Sequence, residues 1–221
     1  MEETLPISKS IFLAMAGTLV FAVPAVLGAP GAQVKTPSPT LDWTAARSQG
    51  SRQAPITVEI FSDYQCPICK ELYERTTRQL IDNYVTSGKV YLVHHDFPIH
   101  NYSHEAARWM NAVAEVGNSQ FCAAEAAMYA QQDTWAANGR IEPVLAATLS
   151  PTDLKRVHQI EATQGAQLDA IVDSDIALGR SRHINATPSI CVTHRGSMTQ
   201  LPSGAISYTL LKQYLDYLLQ H

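Results

Sequence analysis

The feature that most constrains this chain is a strand that runs without a break into two cysteines and then into a helix. In "PITVEIFSDYQCPICKELY", Ile56, Val58 and Ile60 alternate with Thr57, Glu59 and Phe61, the two-residue period of a β-strand. From Pro67 the apolar residues change to helical spacing, with Ile68, Leu72, Leu80, Ile81 and Tyr84 near one face and Gly88 as the stop. "KVYLVHHDF" is a second strand, and strand–helix–strand implies a parallel pair with a right-handed crossover. A helical tract follows. Ser103 can cap "HEAARWMNAVAEV", Asn118 or Ser119 can cap "QFCAAEAAMYAQQ", and Ser150 with Pro151 and Asp153 opens "SPTDLKRVHQIEAT", before "AQLDAIVDSDIALGR" ends the tract. "PSICVTH", a turn at Arg195-Gly196 and "SMTQLP" restore the strand signal. An amphipathic helix, "SYTLLKQYLDYLLQ", closes the chain with Leu210, Leu211, Tyr214, Leu215, Leu218 and Leu219 inward. The order βαβ, helices, ββα makes this an α/β chain.

Cys66 falls where the strand has ended and the helix begins. Unpaired N–H groups and the positive end of the helix dipole favour an anion there. A thiol of ordinary pKa, about 8.5, is pushed toward its nucleophilic thiolate. Pro67 suits the first helical turn because its missing N–H has no intrahelical acceptor. Cys69, one turn in, is placed to attack Cys66 and resolve a mixed disulfide. Two other uses of such a pair remain open. A metal site wants about four ligands, but no second C-x-x-C exists, and His94, His95, His100 and His104 lie beyond the next strand. A structural staple across so short a loop removes little unfolded-state entropy. Disulfide exchange is the reading the position favours, with no metal or other cofactor expected.

Residues 1–32 are a different material. No charged residue occurs from Ser10 to Val34, and "IFLAMAGTLVFAVPAVLGA" reaches the lower limit of about 17 apolar residues for a spanning helix. This is expected to be a signal peptide or a membrane anchor, and either one places the rest outside the cytoplasm. Disulfides persist there. Residues 33–54, rich in Pro, Ser, Thr and Gln, are expected as a linker, with Trp43 as a candidate to tuck against the domain. Hydrophobic residues at 46% are ample for a core, and a net charge of −4 without a basic run argues against nucleic acid as a partner.

Three segments carry a resemblance. "FSDYQCPICK" is similar to the active-site segment of DsbA-like thiol–disulfide oxidoreductases of the thioredoxin superfamily. "DFPIHNYSHEAARWMNA" resembles the stretch leading into that family's inserted helices, and "INATPSICV" its second active-site segment. The resemblance implies a thioredoxin fold (βαβ + ββα) over residues 55–97 and 184–221, with an inserted helical subdomain at 98–183. It implies that Cys66 is the exposed nucleophile and Cys69 the buried resolving thiol. Pro67 and Ile68 tune the potential, and Thr187 precedes a cis Pro188 that holds substrate. The activity it implies is oxidation of reduced or unfolded secreted proteins in the periplasm or cell envelope, with reoxidation by a quinone-linked membrane partner. Reductase or isomerase action on the same scaffold, or a metallochaperone module using Cys66 and Cys69, are the alternatives.

Many thioredoxin relatives hold a buried acid six residues before the nucleophile. That position is Ile60 here, and Glu59 lies one residue out of step, which in a strand means the opposite face unless a bulge intervenes. Glu59 is the candidate for proton handling, and Asp63 is expected as a solvated turn residue or cap. His94 and His95 are expected to be structural, with modulation of the thiolate as the alternative. Cys122 and Cys191 are either small buried hydrophobes or a second, structural disulfide.

Overall fold

A computed structural model describes Met1 and residues 41–221. The apolar amino-terminal segment and the first part of the expected linker lie outside the described residues. The five strands among the described residues are β1 (Ser48–Gln49), β2 (Ile56–Ser62), β3 (Val90–Asp96), β4 (Ser189–His194) and β5 (Ser197–Gln200), and they form one sheet in the order β1-β3-β2-β4-β5. β2 and β3 are parallel, and every other pairing is antiparallel. Helix α1 (Trp43–Ala46) and β1 fall inside the stretch expected as linker. That expectation is corrected. Ala46, Arg47 and Ser48 are buried, and β1 completes one edge of the sheet.

After β2 the chain enters α2 (Pro67–Leu72), which continues through two wide π turns, Tyr73–Thr77 and Ile81–Val85, on either side of α3 (Arg78–Leu80). Ile56, Val58 and Ile60 pack with Leu72, Leu80 and the closing helix α9 (Tyr208–Gln220) on one face of the sheet. Phe61 and Cys191 pack on the other. Ile68 and Leu210 are not inward as their spacing suggested, being 43% and 57% exposed.

The helical block between β3 and β4 comprises α4 (Ser103–Val116), α5 (Asn118–Ala130), α6 (Gln132–Trp135), α7 (Glu142–Thr148) and α8 (Pro151–Ser181). Ser150 caps α8 through Asp153 N as expected, and Gln164 breaks the helical dihedrals between the two segments read from the sequence. Gly179 lets α8 lie directly on the sheet. A Cβ there would meet Phe97 at 2.6 Å, closer than atoms can approach.

A buried chain of alternating charges joins this block to the sheet. Glu125 of α5 meets His94 at 2.9 Å, His94 meets Asp96 at 3.1 Å, and Asp96 meets Arg47 at 2.8 Å. Arg47 meets Asp175 of α8 at 2.6 Å, Asp175 meets His95 at 3.0 Å, and His95 meets Glu59 at 3.0 Å. Arg182 ends the chain on Glu59 at 2.9 Å. Burial alone would lower the His94 pKa, but Asp96 and Glu125 outweigh it and raise it to about 9. Burial alone would raise that of Asp175, but His95 and Arg47 hold it at about 2.

Truncating one member leaves its partners charged and buried. Arg47→Leu is expected to cost about 3–5 kcal/mol in urea denaturation. The stability contributed by His94 is present below its ordinary value of 6.5 and lost as pH rises through about 9. The contribution of Asp175 is present above its ordinary 3.8 and lost as pH falls through about 2. Thermal midpoints should therefore decline from pH 6.5 toward 9, and His94→Gln should flatten that decline.

Candidate active site

Cys66 is the N-cap of α2, with φ −74° and ψ 121°, and Pro67 follows in the first turn. Its carbonyl accepts from Cys69 N at 3.1 Å and Lys70 N at 3.2 Å. The start of β4 approaches from the other side. The Thr187-Pro188 bond is cis, as the resemblance implied, and the Cys66 thiol donates to Thr187 O at 3.6 Å. Gln132 of α6 donates to Tyr64 O at 2.7 Å and Cys66 O at 2.9 Å, fixing the cysteine loop against the helical block. Packed in this way Cys66 is only 5% exposed, which corrects the expectation of an exposed nucleophile. Cys69 is more deeply buried, at 1%.

The two thiols are driven apart. The Cys69 thiol donates to the Cys66 sulfur, and against the effect of burial this leads the fall of the Cys66 pKa to about 5. The Cys69 and Ile68 backbone N–H groups and the Thr187 side chain act in the same direction. Burial, and then the Cys66 sulfur itself, push the Cys69 thiol well up. Ser62 and Asp63 N, the latter 3.5 Å from Sγ, soften that rise. The Cys66 sulfur is favoured as a thiolate, and the Cys69 thiol keeps its proton.

Asp63 is no solvated turn residue. It is 1% exposed and accepts from Gln65 N, Ile99 N, His100 N, His100 Nδ1 and Ser103 Oγ. It thereby locks the loop before Cys66 to the entrance of α4, a role that loop composition did not signal.

Glu59 does not reach Cys66 or Cys69. The β2–β3 register runs unbroken from Ile56↔Val90 to Ser62↔Asp96, so no bulge turns it around. It lies on the face opposite Ile60, paired with His95 and Arg182, and proton handling by Glu59 is corrected to a role in the charge chain. Cys122 and Cys191 are free thiols. Cys191 sits with Phe61 and Phe97 on one side of the sheet, while Cys122 lies beside Tyr73 and Ile81 on the other, so the sheet separates them. The expected second disulfide is corrected to two half-buried or buried hydrophobes. Among the described residues, no group of three or more His, Cys, Asp or Glu is arranged to hold a metal ion.

The family model described as thioredoxin matches residues 44–216. The chain belongs to the thioredoxin family. Solved structures with the same fold include oxidised BdbD of Bacillus subtilis, 20% identical over 79% of this chain and 93% of that one, with a TM-score of 0.66. Pseudomonas aeruginosa DsbA2 is 24% identical over 78% and 93%, with a TM-score of 0.60. The thiol-disulfide exchange protein α-DsbA2 of Wolbachia pipientis is 19% identical over 77% and 86%, with a TM-score of 0.58. None of the curated proteins matches the sequence. Within the thioredoxin family, the helical insertion between β3 and β4 gives this chain the fold of the DsbA-type structures.

The electrostatics of the pair are directly measurable. Ultraviolet absorbance of the reduced protein should show a thiolate titrating at about pH 5. Cys69→Ala removes the leading hydrogen bond and should move that midpoint upward. A midpoint near the ordinary thiol value, about 8.5, would contradict this description.

Proposed function

We propose that this chain is an extracytoplasmic thiol–disulfide oxidoreductase that introduces disulfides into reduced secreted proteins. The observation that carries the reading is the asymmetry of the pair, a Cys66 thiol held at about 5 beside a Cys69 thiol pushed well up. A stabilised thiolate lowers the free energy of the reduced enzyme and so makes its disulfide oxidising. The likeness to solved structures that include a thiol-disulfide exchange protein supports the same chemistry. The apolar segment before residue 35 supports action outside the cytoplasm, in the periplasm or cell envelope.

In the forward reaction a substrate thiolate attacks Cys66 Sγ of the Cys66–Cys69 bond, and Cys69 leaves with its electron pair and takes up a proton. A second substrate thiolate then attacks the substrate sulfur of the mixed disulfide, and Cys66 leaves as the stabilised thiolate. The substrate has lost two electrons and the enzyme has gained them. A quinone-linked membrane oxidant returns the enzyme to its disulfide form. Ile68 and Ile99, 43% and 53% exposed, offer apolar surface beside the cysteine loop to an unfolded chain.

Oxidised protein mixed with a reduced, unfolded secreted protein should transfer its disulfide stoichiometrically, and Cys66→Ala should abolish the transfer. Cys69→Ala, given a substrate that already has a disulfide, should accumulate a mixed disulfide at Cys66. Faster removal than insertion of substrate disulfides, at the glutathione poise of an oxidising compartment, would assign the chain to reduction instead.

A further inference from the structure

The resolving cysteine lacks the acid that its own strand would supply. Ile60 occupies the position six residues before Cys66, and Glu59 faces away into the charge chain. Yet a buried thiol cannot exchange disulfides without giving up its proton, and proton transfer to a positioned group is the usual remedy.

The fold brings another carboxylate to the same place. A small cavity with room for about 20 Å³ lies behind Cys69, lined among others by Ser62, His94, Glu125 and Tyr129. That volume has room for one water, which needs about two to four polar partners, and Ser62, Glu125 and Tyr129 can supply them, both ring nitrogens of His94 being taken by Glu125 and Asp96. Glu125 is 6% exposed and projects from α5 one turn before Tyr129, so both lie on the same helix face. The Tyr129 hydroxyl is 2.7 Å from Ser62 Oγ, and Ser62 in turn reaches the Cys69 sulfur.

We infer that the Glu125 carboxylate, across this cavity, takes up the Cys69 proton when Cys69 attacks and returns it when Cys69 leaves. The inference rests on the redox reading of the Cys66–Cys69 pair. In the resolving step the proton passes from Cys69 Sγ through one water to Glu125. The Cys69 thiolate attacks Cys66 Sγ of the mixed disulfide, the Cys66–Cys69 bond forms, and the partner sulfur leaves as a thiolate that is protonated from solvent. In the reverse step a thiolate attacks Cys66, and Cys69 leaves and recovers the proton from Glu125.

Several ionisable groups face Glu125. From β3 come His94, at 2.9 Å, and Asp96 beyond it, and from the turn between α1 and β1 comes Arg47. Tyr64, Cys69 and Tyr73 face it from the cysteine loop and the helix that follows, with Cys122 and Tyr129 on its own helix. Of these, His94 is in direct contact and fixes the orientation of the carboxylate.

A symmetrical aromatic disulfide that releases a coloured thiolate separates the two steps. Mixed with reduced full-length protein, it releases one equivalent when Cys66 attacks and a second when Cys69 resolves the adduct. Glu125→Gln should leave the first phase within about twofold of wild type and slow the second by about 100-fold at neutral pH, the lower end of general-base effects. The second phase of E125Q should recover as pH rises and hydroxide replaces the missing base, and Glu125→Asp should retain most of the wild-type profile. A merely structural Glu125 would slow both phases or neither. If E125Q does not fold, His94→Gln serves instead and should slow only the second phase. A second phase unchanged in the folded variant overturns the role of Glu125 and leaves the redox reading intact. Absence of any second equivalent from wild type overturns both.

Discussion

Arg47 is buried between Asp96 and Asp175, and the arrangement of this protein turns on that contact. A guanidinium taken out of water is tolerable only when carboxylates meet it, and a carboxylate only when cations meet it. The result is an alternating series from Glu125 on one side of β3 to Arg182 beyond Glu59. It draws charge from the turn after α1, from two strands, from α5, and from α8 and its C-cap. Moving the block away from the sheet would therefore strand charges in the interior. The series holds Tyr129 and Glu125 behind the cysteines as firmly as it holds the helices themselves.

The cysteine pair works because its two environments differ. Cys66 sits at a helix start, where the Cys69 thiol and backbone N–H groups converge on its sulfur, while Cys69 faces a nearly dry interior. The same burial that keeps Cys69 protonated also calls for a nearby group to move its proton. Asp63 and Gln132 hold this geometry by tying the loop to the helical block at both ends. The insertion thus helps to hold the cysteine pair in place.

Much of this was legible in the residues because local rules decided it. The strand-to-helix junction, the cap at Ser150 and the turn at Arg195-Gly196 depend on neighbours a few positions away. Strand alternation also placed Glu59 opposite Ile60, which is where it lies. What escaped depended on distant partners. Asp63 reads as a turn residue until five donors, several from beyond residue 98, close around it. Glu125 looks like one more helical acid, and only the packing of α5 on β3 sets it beside His94. Two cysteines in one chain invite pairing, but the sheet between Cys122 and Cys191 prevents it, and sequence spacing carries no record of which face each one takes.

The Cys66 thiolate is stabilised within the fold, and the proposed oxidase action depends on this making the disulfide an oxidant. Equilibration of the Cys66–Cys69 pair with glutathione buffers measures this directly as a reduction potential. The expected value lies well above that of thioredoxin, in the range of about −180 to −120 mV found for proteins that supply disulfides. A potential near about −270 mV would contradict it.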